Sequence, residues 1–96
     1  MSRPILYPEV VENPSATGRW MVLIFNNEFN SFDEVIGMLM KATGCMAEEA
    51  YIEAWEAHTY GKAPCHFAER TECEVVAAMI STIGVRTVVQ REWEES

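Results

Sequence analysis

The residues best equipped for chemistry in this chain are Asn26, Asn27, Glu28 and His58. The first three form a polar knot directly after an apolar run, Trp20-Met-Val-Leu-Ile-Phe25, and the histidine follows two helical patterns later in His58-Thr-Tyr-Gly-Lys-Ala63. An amide oxygen, a carboxylate and an imidazole with an apolar wall between them suit a cation that carries a hydrophobic side chain. The free N-terminus of a polypeptide with a large first residue is such a cation. Each residue alone also has a plain structural explanation. A histidine in the last turn of a helix suits the negative end of the dipole, and Asn-Asn-Glu after a strand is common turn chemistry.

Catalysis has less support. There is no nucleophile elbow and no glycine-rich phosphate loop, and the carboxylates fall at helix starts and on polar faces. Cys45, Cys65 and Cys73 are odd in number and lack the close spacing of a zinc site, so reduced structural thiols are expected, with no metal and no cofactor. A formal net charge of -8 opposes a phosphate backbone or an anionic membrane surface. No apolar run reaches the roughly 18 to 20 residues of a membrane span, and the acidic, proline-containing N-terminus does not read as a signal peptide. These features predict a binding module in a cytosol-like compartment.

The elements that must position the knot and the histidine can be read from local pattern. Residues 1–18 hold Pro4, Pro8 and Pro14 without sustained periodicity and are expected to form a mobile, extended arm, leaving 19–96 as one domain. Trp20 to Asn26 reads as a central strand. Ser31-Phe-Asp-Glu34 fits a capping box that starts a helix bearing Phe32, Val35, Ile36, Leu39 and Met40 at helical spacing, with Gly44 as its stop. A second helix runs from about Met46 to Tyr60 and ends at Gly61. On it Ala50 and Ala54 fall in line with His58, and two such small side chains would leave space beside the imidazole. Lys62 to Ala68 reads as a strand in which Pro64, unable to donate to a ladder, argues for an edge position or an irregular start. Thr71 to Ile83 reads as a third helix, with Thr71 and Glu74 as a second capping box and Val75, Val76, Ala78, Met79 and Ile83 inward. Val85 to Arg91 alternates as the last strand. The order β-α-α-β-α-β predicts an α+β fold of two layers, a small sheet covered by helices.

Taken together, the segment Trp20 to Glu28, then Glu48-Glu-Ala50, His58 to Ala63 and Glu74 resemble the ClpS family of Clp protease adaptors, without gaps from about Arg19 to Gly61. The short third helix closed by Gly84 looks more like the cyanobacterial or plastid type, for which the plastid stroma would be the compartment. The resemblance implies three antiparallel strands backed by three helices. It also implies an adaptor, not an enzyme, that binds proteins by a bulky hydrophobic N-terminal residue and hands them to a ClpA- or ClpC-type unfoldase. Carried over by position, Asn26, Glu28 and His58 would hold the α-ammonium group. Asn27, Asn30, Phe32, Val35, Ala54 and Ala57 would shape the side-chain pocket. The family's Asp-Asp is Asn27-Glu28 here, its Thr-Pro-Met is Asn30-Ser31-Phe32, and a methionine of its second helix is Ala54. These departures leave a second expectation, an interaction domain of the same fold whose pocket is vestigial or altered.

Overall fold

The structure is a computed structural model and describes residues 6–10 and 19–92. Seven elements follow one another: β1 (Glu9–Val10), β2 (Trp20–Phe25), α1 (Phe32–Thr43), α2 (Ala47–Tyr60), β3 (Lys62–Ala68), α3 (Arg70–Ser81) and β4 (Thr87–Arg91). The sheet runs β1-β4-β2-β3, with β2 antiparallel to both β3 and β4. The α+β class and the three helices are as expected. The sheet has a fourth strand, because Glu9 and Val10 pair in parallel with Val88 and Val89 on the otherwise open edge of β4. Two residues are too few to leave a periodic signal, and the arm read as extended and mobile contributes a strand at Glu9–Val10. The rest of that arm, 1–5 and 11–18, lies outside the described residues.

β2 is the axis of the molecule. Val22 and Ile24 face the core that the helices cover, and Leu23, on the opposite face, is also buried. Its ladder to β3 shifts register between Val22 and Leu23, where Pro64 stands opposite Leu23. Proline lacks a ladder donor, which β3 tolerates as an edge strand. Trp20 at the start of β2 is buried, with the guanidinium groups of Arg70 and Arg91 over its ring at 5.3 Å and 5.5 Å from its centre.

The caps of α1 form as the sequence requires. Ser31 accepts from the Glu34 amide, Glu34 accepts in return from the Ser31 amide, and Gly44 closes the helix at a φ of 75°. α3 departs from expectation. It starts at Arg70 with Glu69 as an N-cap that makes no side-chain bond, so Thr71 and Glu74 do not form a capping box. Its inward residues are Cys73, Val76, Ala77 and Ile80, whereas Val75 and Ala78 are exposed. One step of 100° per residue separates these two stripes, and the apolar residues at both positions hid which one meets the sheet.

Candidate functional site

The polar knot is held by bonds to two distant parts of the chain. The Phe25 amide donates to the Arg86 carbonyl at 3.1 Å and the Asn26 amide to the Gly61 carbonyl at 2.9 Å. The first ties the end of β2 to the segment before β4, and the second sets it against the end of α2, where Gly61 takes a φ of 91° and His58 occupies the last turn. A Cβ at Gly61 would meet no atom within 4 Å, so glycine is required there by the backbone angle and not by space.

Asn27 organises the loop. Its Oδ1 accepts from the amides of Phe29 and Asn30, both at 3.0 Å, and its Nδ2 donates to Asn30 Oδ1 at 2.8 Å and to the Gly84 carbonyl at 3.2 Å. Asn30 Nδ2 donates in turn to the Ile83 carbonyl at 2.9 Å. The two amides therefore fasten the β2–α1 loop to the turn between α3 and β4.

Between this loop, the end of β2, α1, α2 and the segment leading into β4 lies a cavity of about 180 Å³. Ile24, Ala54, Ala57 and Val85, all buried, form its depth together with half-buried Val35. Exposed Asn26, Phe32 and His58 stand at the mouth, with Asn27, Asn30 and Phe25 beside them. The Phe32 ring meets the His58 ring edge to face, 5.3 Å between centres and 87° between planes. The side chains of Asn26 and His58 make no hydrogen bond among the described residues, which leaves both available at the mouth.

The structure thus gathers eight of the nine residues singled out in the sequence around one cavity: Asn26, Asn27, Asn30, Phe32, Val35, Ala54, Ala57 and His58. Glu28 is the exception; it is exposed at the loop tip and does not line the cavity. Ala50 is buried in the core instead of beside the imidazole, so the space comes from Ala54 and Ala57. Ile24, Phe25 and Val85 were not foreseen. Ile24 and Phe25 fall within the apolar strand that precedes the knot, but nothing local marks Val85, which arrives from the far end of the chain.

Elsewhere His66 Nε2 lies 2.6 Å from Glu72 Oε2, and burial pushes the thiols of Cys65 and Cys73 up from their ordinary range. Among the described residues, no group of three or more His, Cys, Asp or Glu side chains could hold a metal ion. Among the same residues, no helix is long and apolar enough to cross a membrane.

An apolar cavity with a small polar mouth on an α+β scaffold defines a binding domain. The family model for "ATP-dependent Clp protease adaptor protein ClpS" matches residues 15–86, well over half of the chain, and the chain belongs to the ClpS family. It is accordingly a Clp protease adaptor and not an enzyme. Among solved structures, ClpS2 of Agrobacterium tumefaciens bound to L-phenylalaninamide is similar in fold. The TM-score is 0.72 at 18% identity, over 77% of this chain and 96% of that one. No curated protein matches the chain.

Proposed function

We propose that this protein captures proteins by a free N-terminus bearing a bulky hydrophobic first residue and delivers them to a ClpA- or ClpC-type unfoldase. The observation that carries the reading is the cavity itself, apolar in its depth and lined at its mouth by Asn26 and His58. The first side chain of the client enters the cavity, and its α-ammonium group remains at the mouth. There Asn26 offers an amide oxygen, His58 a ring nitrogen, and Glu28 swings in from the loop tip as the counter-charge. The bond between a carboxylate and an ammonium group is charge-assisted, and an internal peptide bond presents no such cation, so interior residues are rejected. Burial of a large apolar side chain adds about 1.5 to 3 kcal/mol, and the sum suits micromolar affinity, at which a client is held and then released. Family membership supports this reading, as does the L-phenylalaninamide bound to the similar ClpS2, which is itself a free amine with an aromatic side chain. The arm, residues 1–18, engages the unfoldase, and the complex works in the cytoplasm.

A second reading, an interaction domain with a vestigial pocket, has one observation in its favour: Glu28 stands outside the cavity. Two fluorescent peptides separate the readings, one beginning with a free phenylalanine and the other its N-acetylated twin. Micromolar binding of the first with loss of the second is expected. Equal binding of both, or of neither, would favour the vestigial pocket.

A further inference from the structure

Tyr51 lies outside the cavity but touches its rim through another ring. It stands seven residues before His58 on α2, close to two full turns, so both side chains project from one face of the helix. Phe32, the first residue of α1, is wedged between them. Its ring centre is 6.3 Å from that of Tyr51 with planes at 89°, and 5.3 Å from that of His58 with planes at 87°. Both are edge-to-face arrangements, which aromatic quadrupoles favour. Phe32 is 37% exposed and Tyr51 51%, so the protein core does not hold either ring. The Ser31 capping box sets the backbone at Phe32, and the Phe32 ring meets those of Tyr51 and His58.

We propose that Tyr51 is a positioning residue for the pocket: it holds the Phe32 ring upright against His58 and thereby narrows the set of first residues that the cavity admits. The inference rests on the proposed capture of a free N-terminus. With the ligand ammonium at the His58 side of the mouth, the ligand Cβ lies at the level of the Phe32 ring. A fixed ring there admits a single methylene and excludes a branch. Without Tyr51 the ring swings outward and the exclusion weakens. The phenolic hydroxyl has no hydrogen-bond partner among the described residues, so the ring of Tyr51 and not its oxygen does the holding.

Two measurements on Tyr51→Ala and Tyr51→Phe test this in the full-length protein. In the first, without peptide, the ring-proton NMR signals of His58 report the Phe32 ring current. Tyr51→Ala should move them toward their positions in Phe32→Ala, whereas Tyr51→Phe should leave them in place. In the second, the affinity ratio between Phe-initiated and Val-initiated peptides should fall roughly two- to tenfold in Tyr51→Ala, the range that one aromatic pair carries, and recover in Tyr51→Phe. Unmoved His58 signals in Tyr51→Ala would overturn the proposal whatever the peptides do, and so would an unchanged affinity ratio. If the wild-type protein binds neither peptide, the capture reading and the selectivity role fall together, while the NMR result still judges the contact by itself.

Discussion

An asparagine side chain has two donor hydrogens and two acceptor lone pairs, and at Asn27 all four are engaged. Asn27→Ala should therefore lower stability by about 1 to 3 kcal/mol, since it also strands the partners that the amide satisfied. It should weaken peptide binding as well, because the mouth loop loses its tie to Gly84. Urea denaturation together with fluorescence anisotropy measures both effects, and an unaltered midpoint would mean that the loop is held by its backbone alone. His58→Ala and Glu28→Ala act differently. Each should weaken a Phe-initiated peptide by about 1 to 3 kcal/mol while the urea midpoint stays put, as expected for groups that meet the ligand and not the fold. A loss confined to His58→Ala would leave the ammonium to Asn26 and His58 without Glu28.

Among the elements, α2 carries a cost within its own face. Glu53 has a buried Oε1 without a hydrogen-bond partner, and its pKa rises from the ordinary 4.5 to about 7, through burial first and then repulsion by Glu49 and Glu56. Cys65 on β3 also feels this carboxylate. The folded pKa lies above the unfolded value, so between pH 4.5 and 7 the unfolded chain has released a proton that the folded chain keeps. Glu53 thus makes stability fall as pH rises through this window, with no further change above it. Glu53→Gln should remove that fall and raise the melting temperature at pH 8 by a few degrees, the shift produced by about 1 kcal/mol in so small a domain once solvent screening is allowed for. Melting curves at pH 4.5 and 8 decide it: the same drop in wild type and variant would place the pH sensitivity elsewhere. α1 depends on its cap, and Ser31→Ala should cost about 1 kcal/mol by loss of the bond to the Glu34 amide. Because Ser31 also sets the backbone of Phe32, the variant should bind peptide less selectively.

At the scale of the whole molecule, the cavity and β1 draw on different residues of the sheet. β1 extends the β4 edge, and the Arg86 guanidinium bridges Glu9 at 3.3 Å while lying 4.4 Å from the centre of the Phe25 ring. Glu9 itself is not part of the cavity. Deletion of residues 1–18 should then leave peptide affinity within about twofold and abolish stimulated degradation of a model client by the unfoldase, since an extended segment can engage a partner without disturbing the domain. Parallel anisotropy and degradation assays make the comparison. Lost peptide affinity would show that the β1 edge supports the cavity through Arg86 and Phe25.

What the sequence by itself determined lies within a few residues of each signal. The Ser31 capping box, the left-handed stops at Gly44 and Gly61, the edge position of the Pro64 strand and the alignment of Ala54 and His58 on α2 all follow from local hydrogen bonding, φ preferences and the helical repeat. Resemblance to the family extended that reading to eight residues that the fold does bring to one cavity. Tertiary structure alone decided the rest. Glu9–Val10 became a strand because β4 offered an unpaired edge, and α3 turned Cys73, Val76, Ala77 and Ile80 inward because the sheet met that side of it. Val85 reached the cavity through the pairing of β4 with β2, Glu28 was left at a loop tip, and Tyr51 met Phe32 across two helices. Each of these depends on which distant segment packs against an element and in what register, a choice made by the burial of the whole chain and written in no single stretch of it.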